Sequence, residues 1–128
     1  MPLWTKISSS QTQAAPLKLR HVHIWVKDIN RTKAFYHDKL GLTVSNERPG
    51  EMVEFEKGAL WFGKFKSAGP LNTEAITIGI EADPVDAAYQ MLKERGVSIP
   101  KPPEKRSYGM SFSLKDPDGY AIEVEGPR

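Results

Sequence analysis

The sequence contains no cysteine. That absence excludes disulfide bridges, thiolate zinc sites and thiolate catalysis, and it fits a reducing compartment. A dominant charge of one sign is also lacking, because 18 basic residues are balanced by 16 acidic ones and the formal net charge is +2. No basic run is interleaved with aromatic residues, so nucleic acid is not an expected partner.

Long apolar runs are missing as well. No stretch approaches the length that spans a membrane, and the N-terminus lacks the apolar core of a signal peptide. A cytoplasmic location without a membrane partner is therefore expected. The chain does have 39% hydrophobic and 27% charged residues among its 128, which is typical of one globular domain large enough to bury a core.

The first 18 residues differ from the rest of the chain. A polar run from Ser8 to Gln13 has no hydrophobic period, so residues 1–18 are expected to form a mobile extension. Trp4 and Ile7 could instead anchor this segment to the domain or to a partner subunit. The domain itself is predicted over 19–126.

A strand, a helix and three strands are predicted in the first half. Apolar residues alternate from Leu19 to Lys27, as in a strand with one buried face. Asp28 is a suitable helix N-cap, and Gly41, thirteen residues later, ends the helix. Three short strands follow, at 42–45, 52–56 and 59–65, with a loop at 46–50.

The same order recurs after a linker at 66–72. A strand over 75–80 precedes a second helix, predicted from a cap at Asp83 to Gly96, again thirteen residues apart. A strand at 97–100 and a proline-rich loop then lead into a closing hairpin. Its first strand alternates Tyr108, Met110, Phe112 and Leu114 with small residues, its turn is Asp116 to Gly119, and its second strand carries Glu123.

This repetition predicts an α+β fold of two βαβββ units, at about 19–66 and 73–126. The two units are expected to join in an open, barrel-like mixed sheet with the helices outside and a concave face within. The side chains opposite the apolar face would line that cleft, a mixture of aromatic, small and polar groups that suits a small-molecule ligand. They are His21, His23, Trp25, Trp61, Gly63, Phe65, Ala75, Thr77, Gly79, Ser111, Ser113, Ala121, Glu123 and Glu125.

Two segments carry a family resemblance. The run from His21 to Leu42, HVHIWVKDINRTKAFYHDKLGL, and the run from Asp116 to Glu123, DPDGYAIE, resemble the opening and closing segments of the vicinal oxygen chelate superfamily. That superfamily includes glyoxalase I, bleomycin-resistance proteins, fosfomycin-modifying enzymes and extradiol dioxygenases. The resemblance implies paired βαβββ units, commonly completed in a homodimer.

In metal-dependent members of that superfamily, His and Glu side chains hold a divalent metal that chelates substrate oxygens. The resemblance places metal ligands on His21 and Glu123, and Glu123 could also act as the catalytic proton acceptor. These donors suit Zn, Ni, Mn or Fe. The middle ligand position falls on Ala75, and a further one falls near Gly63. Neither offers a donor, whereas catalytic metal sites normally have three protein ligands.

Neighbouring side chains could complete such a site. His23 and Glu125 each lie two residues beyond one of the predicted ligands, on the same strand face. Residues two apart on a strand are about 6.6–6.8 Å apart. Only a bulge or a swung ring would therefore bring both members of either pair to one metal.

Other side chains of this face are candidate ligand contacts. Trp25, Trp61 and Phe65 could stack on a planar or cationic compound, although packing in the core or at a dimer interface is the simpler interpretation. The predicted binding set is His23, Trp25, Trp61, Phe65, Thr77, Ser111, Ser113 and Glu125. Lys105, Arg106 and Tyr108 could recognise an anionic group at the cleft mouth or, more simply, form a solvated loop.

Two functions follow from these residues and this resemblance. In the first, the protein binds a small molecule in the cleft and its metal site is degenerate or absent. In the second, it is a lyase, isomerase, thiol transferase or dioxygenase that uses a divalent metal at His21 and Glu123. A homodimer is expected in both cases.

Overall fold

The computed structural model describes residues 16–127. Most of the predicted extension, with Trp4 and Ile7, lies outside the described residues. Residues 16–22 have no regular secondary structure, and the first strand begins at His23 rather than Leu19. None of the helices within residues 16–127 is long and apolar enough to cross a membrane.

Each half of the described region, residues 16–127, contains one helical segment and four strands. The first half comprises β1 (His23–Val26), α1 (Ile29–Lys33) continuing as a wider π-helical turn (Ala34–Lys39), β2 (Val44–Arg48), β3 (Met52–Phe55) and β4 (Leu60–Lys64). The second half comprises β5 (Thr77–Glu81), α2 (Val85–Glu94), β6 (Glu104–Arg106), β7 (Gly109–Lys115) and β8 (Ala121–Glu125).

The two halves have the same topology. Their strand orders are β1-β4-β3-β2 and β5-β8-β7-β6. In each sheet the first strand pairs in parallel with the last, and the other pairs are antiparallel. The α+β fold of two βαβββ units is therefore confirmed. Within the described chain the two sheets are separate and are not closed into a barrel.

The helix boundaries follow local chemistry, with one exception. The Asp28 side chain accepts a hydrogen bond from the Arg31 N–H at 3.2 Å, as expected of an N-cap. Gly41 and Gly96 follow the helices with φ of +82° and +81°, values that glycine adopts without a steric penalty. The predicted cap at Asp83 is wrong. Pro84 occupies the cap of α2 and, having no side-chain acceptor, makes no capping hydrogen bond.

Two strand predictions are wrong for a shared reason. The strand expected at 42–45 lies instead at Val44–Arg48, and the strand expected at 97–100 lies at Glu104–Arg106, inside the predicted loop. Both are the outermost strands of their sheets. Their residues are almost all exposed, so neither has the buried apolar face that produces a period of two in the sequence.

One hydrophobic core connects the two units. The inward sides of both sheets and one side of each helix contribute to it, as the alternation predicts. Its largest fully buried members are Tyr36, Phe55, Phe62, Leu114 and Ile122. The units therefore fold around a shared interior.

The turn between β7 and β8 joins the second unit to the first through the buried carboxylate of Asp116. One oxygen of this carboxylate accepts a hydrogen bond from the Tyr36 hydroxyl at 2.8 Å. The other accepts from the backbone N–H groups of Asp118 and Tyr120, each at 2.9 Å. The pKa of the Asp116 carboxyl is raised above its ordinary value, because the effect of burial outweighs these three hydrogen bonds, which lower it.

Two further side chains of the turn reach the first unit. One Asp118 oxygen accepts hydrogen bonds from the Arg31 guanidinium at 2.9 Å and the Lys27 N–H at 3.1 Å. The Tyr120 hydroxyl donates to the carbonyl oxygen of Trp25 at 2.5 Å. The turn therefore fixes both the start of the first helix and the end of β1.

Replacing Tyr36 by Phe should destabilise the protein. The change removes the hydroxyl donor and leaves one buried oxygen of Asp116 unpaired, which typically costs about 1–3 kcal/mol. The free energy of unfolding is measured by urea denaturation. Tyr89→Phe is the matched control, because the Tyr89 ring also packs against the core but its hydroxyl has no hydrogen-bond partner within residues 16–127. Equal losses in both variants would contradict this role of the Tyr36 hydroxyl.

Candidate functional site

Four ring side chains cluster on the outer face of the first sheet, and we call this cluster the aromatic platform: His21, His23, Trp25 and Trp61. Two of its members, His23 and Trp25, belong to β1, and Trp61 lies opposite His23 on the parallel strand β4. His21 precedes β1. The sequence placed these four residues on one face, and the structure brings them together.

The rings of the platform pack against one another in two orientations. Trp61 stacks on both histidines, with its ring centroid 5.4 Å from that of His21 and 4.0 Å from that of His23. Trp25 meets Trp61 edge-on, with centroids 6.4 Å apart and planes 85° apart. The side chain of Trp25 nevertheless remains exposed at 43%. The platform thus combines an internal stack with an open aromatic surface.

Gly63 provides the space in which the two indoles meet. It lies beside Trp25 in the register of β1 and β4 and is buried. A Cβ atom on Gly63 would lie 2.6 Å from an atom of the Trp61 ring and 2.8 Å from an atom of the Trp25 ring. Both distances are shorter than a van der Waals contact, so a side chain here would displace the rings.

The two histidines are closer than strand geometry predicts. Their Nε2 atoms are 2.7 Å apart, a hydrogen-bond distance at which one ring N–H donates to the other ring nitrogen. The approach is possible because His21 lies just outside the strand, where its ring can turn over His23. The Nδ1 atom of His21 is buried and has no hydrogen-bond partner within residues 16–127.

A polar groove adjoins the platform. It has a volume of about 480 Å³ and is lined by Arg20, His21, Asn46, Arg48, Met52, Glu54 and Trp61. Three of these residues form one row across the sheet, in which Trp61 pairs with Glu54 and Glu54 pairs with Asn46. The sequence prediction missed Asn46 and Arg48, because it assigned them to a loop rather than to β2.

The remaining predicted site residues lie on the second sheet. Glu123 lies between Gly79 and Ser113, Glu125 pairs with Ser111, and Thr77 pairs with Ala121. Ser111 is buried, whereas Thr77 and Ser113 are exposed. These residues share one face of their sheet, as predicted, but that sheet is not the one that carries the platform.

Glu123 has a partner that the sequence did not predict. The Tyr108 hydroxyl donates a hydrogen bond to the Glu123 carboxylate at 2.5 Å. The alternation of Tyr108, Met110, Phe112 and Leu114 with small residues predicts one buried face, and this is wrong for Tyr108 and Met110, which are 40% and 38% exposed. Gly109, with φ of +119°, separates Tyr108 from the regular alternation of β7. That glycine is the only signal in the sequence that could have indicated the change.

Two predicted cleft residues stand apart from these groups. Phe65 follows β4, and its ring lies beneath the ammonium group of Lys27, 4.8 Å from the ring centroid. Ala75 precedes β5, is exposed and offers no ligand atom.

The donors in the described part of one chain do not form a three-ligand metal site. Within residues 16–127 no three His, Asp or Glu side chains are arranged to hold a metal ion. His21 lies beside the first sheet and is hydrogen-bonded to His23, while Glu123 lies on the second sheet and is hydrogen-bonded to Tyr108. The two predicted ligands therefore belong to separate groups.

The fold defines a class of protein, that of paired βαβββ units which each form a four-stranded mixed sheet. The model of the Glyoxalase/Bleomycin resistance protein/Dioxygenase superfamily matches residues 18–124. The chain belongs to this superfamily, and the resemblance seen in the sequence is confirmed.

Individual relatives cover most of the chain. Glutathione transferase FosA of Serratia marcescens is 27% identical in an alignment of 113 residues, and the match covers 83% of this chain and 78% of FosA. A protein of unknown function from Agrobacterium tumefaciens str. C58 is 30% identical, with a TM-score of 0.76 over 89% of this chain and 97% of its own. TnmS3, an antibiotic binding protein from Streptomyces sp. CB03234, is 25% identical, with a TM-score of 0.69 over 89% of this chain and 98% of its own.

Replacing Gly63 by Ala should disrupt the platform. The added methyl group must displace at least one indole ring, and overpacking of this kind typically costs about 1–3 kcal/mol. We expect a lower free energy of unfolding, measured in urea, and a changed near-ultraviolet circular dichroism signal from the tryptophans.

Gly79→Ala is the matched control. Gly79 also lies within a strand, and a Cβ atom there would meet no other atom within 4 Å. We expect this variant to keep the tryptophan signal of the parent protein. A signal unchanged in Gly63→Ala would show that the rings tolerate the methyl group.

Proposed function

We propose that the protein binds a planar, aromatic small molecule on the aromatic platform without transforming it. The observation that carries this proposal is the half-exposed indole of Trp25 beside three packed rings. A large exposed aromatic side chain in a fixed orientation offers a stacking surface at little cost in conformational entropy. The hydrogen bond from Tyr120 to the Trp25 carbonyl supports a fixed backbone at this position.

Polar groups beside the platform would orient such a ligand. Trp61 and His21 border the adjoining groove, where Arg20 and Arg48 supply positive charge and Glu54 supplies a carboxylate. A planar compound with polar substituents at its edge would match both regions, since ligand sites combine apolar walls with a few placed polar groups. The similarity to TnmS3, an antibiotic binding protein, supports sequestration as the activity.

A cytoplasmic location and a homodimer, both predicted from the sequence, complete this proposal. Neither nucleic acid nor a membrane is part of it.

Isothermal titration with two aromatic dyes tests the proposal. Proflavine is cationic and anilinonaphthalene sulfonate is anionic, so the pair also reports which charge the groove prefers. We expect one dye to bind at a single site and Trp25→Ala to weaken its binding about ten-fold, equivalent to about 1.4 kcal/mol of stacking.

Val22→Ala is the control for this titration. Val22 is 58% exposed and adjoins the same strand, but it is not part of the platform. Binding should be unchanged in this variant. Failure of both dyes to bind, or equal loss in both variants, would contradict binding on the platform.

A second candidate function is a divalent-metal-dependent enzyme. The similarity to glutathione transferase FosA supports it, together with the buried, unpartnered Nδ1 atom of His21. Because His21 and Glu123 belong to separate groups in one chain, a second copy of the chain would have to supply the missing donors. This candidate therefore requires a dimer.

Elemental analysis and light scattering test this second candidate. The metal-dependent enzyme would contain about one equivalent of divalent metal in the purified protein, lost in both His21→Ala and Glu123→Gln, and it would be a dimer at micromolar concentration. A divalent metal should also raise its melting temperature, because ligands that bind only the folded state stabilise it. A monomer, or a protein that neither contains nor responds to divalent metals, would contradict this candidate.

A further inference from the structure

A second pocket lies on the other sheet, away from the aromatic platform. It is formed by the loop after α2, the edge strand β6 and its neighbour β7, and its volume is about 350 Å³. We call it the basic pocket and define it by Pro100, Lys101, Pro102, Arg106, Ser111 and Ser113. The sequence placed Arg106 in a loop, but β6 fixes this residue on the edge of the sheet.

Positive charge in the basic pocket is incompletely neutralised. Lys101 makes no ion pair with any residue in the described part of the chain. Arg106 approaches the Glu104 carboxylate at 3.6 Å, and both side chains are nearly half exposed. An exposed ion pair at this distance is weak. Both cations therefore remain able to bind an anion.

The buried hydroxyl of Ser111 helps to orient the guanidinium. Ser111 is 1% exposed, and its Oγ atom accepts a long hydrogen bond from Nε of Arg106 at 3.4 Å. This contact uses only Nε, so Nη1 of Arg106 is left for a ligand, and Nη2 is held only by the weak pair with Glu104. Ser113, on the same face and two residues further along β7, adds an exposed hydroxyl. The pocket thus combines two cations with two hydroxyl groups.

We infer that the basic pocket binds the carboxylate of a small organic acid. The planar fork of an arginine matches a carboxylate geometrically, and Pro100 and Pro102 provide an apolar wall for the rest of the molecule. Glu104 borders the pocket, and Glu125 lies beside Ser111 in the sheet register. These two carboxylates offset part of the positive charge of Lys101 and Arg106. The cost of desolvating a ligand rises with the square of its charge, whereas its attraction to the pocket rises linearly. A singly charged ligand is therefore favoured.

Nuclear magnetic resonance titration of the full chain with benzoate tests this inference, and benzamide serves as the uncharged ligand of the same shape. Benzoate should shift the amide signals of residues 100–106 and 111–113, whereas benzamide should not. Arg106→Gln should weaken benzoate binding about ten-fold through loss of a charge-assisted contact. Lys101→Gln should weaken it about three-fold, as expected for an exposed charge. Phenylphosphonate, which carries more charge, should bind more weakly than benzoate.

Lys105→Gln is the matched control. It removes the same charge from the same strand, but Lys105 alternates with Glu104 and Arg106 and pairs with Met110, so it lies on the opposite face. Binding should stay within two-fold of the parent protein. Equal weakening in Lys105→Gln and Arg106→Gln, binding of benzamide, or no shift with benzoate would overturn the inference. Tighter binding of phenylphosphonate would overturn the assignment of a singly charged ligand.

The inference does not depend on ligand binding at the aromatic platform. The two sites lie on different sheets and share no residue. Dye binding that is lost in Trp25→Ala but kept in Arg106→Gln would show that the dye site is independent of the basic pocket. Benzoate binding that is weakened in Arg106→Gln but kept in Trp25→Ala would show the same for the basic pocket.

Discussion

The carboxylate of Asp116 is buried where the two βαβββ units meet, and its three hydrogen bonds both shape its own turn and link that turn to the other unit. Two of them come from the backbone of its own turn and one comes from Tyr36 of the first helical segment. A buried carboxylate is costly unless such donors surround it. The same contacts therefore shape the turn and fix the docking of the units. Burial and the neighbouring Asp116 charge also raise the pKa of the Tyr36 hydroxyl, which keeps that donor protonated.

This docking also reaches the candidate site. Tyr120 leaves the turn and donates its hydroxyl proton to the carbonyl of Trp25. The backbone of β1 is thus attached to the second unit at the residue whose indole forms the open surface of the platform. The orientation of that ring depends on contacts from both copies of the repeated unit, although all four rings of the platform come from the first copy.

Much of the fold was predictable because its signals are local. The helix cap at Asp28, the terminating glycines and the alternation of the central strands are each determined by a few neighbouring residues. The edge strands β2 and β6 were not predictable in the same way, because exposed polar residues show no buried face. The charged residues of β6 become a strand only because β7 offers free backbone groups beside them.

The candidate site was predictable as a set of faces but not as a set of contacts. Alternation placed His21, His23 and Trp25 on one face, and the structure agrees. The alternation could not indicate that the imidazoles of His21 and His23 touch, because His21 lies outside the regular strand. It also could not indicate that Tyr108 turns outward to Glu123. Contacts of this kind depend on where a strand begins, which is the least certain feature of any sequence pattern.

Gly63 and Gly79, one in each sheet, differ in the space that surrounds them. Gly63 lies beneath two indoles and has no room for a side chain, while Gly79 opens on free space beside Glu123. The duplicated units are thus unequal in their capacity to evolve. In the first sheet, a side chain at Gly63 would displace the rings of Trp25 and Trp61, so substitution there is constrained. At Gly79 the second sheet has room for a Cβ atom next to the carboxylate of Glu123, so a substitution there starts without a steric clash.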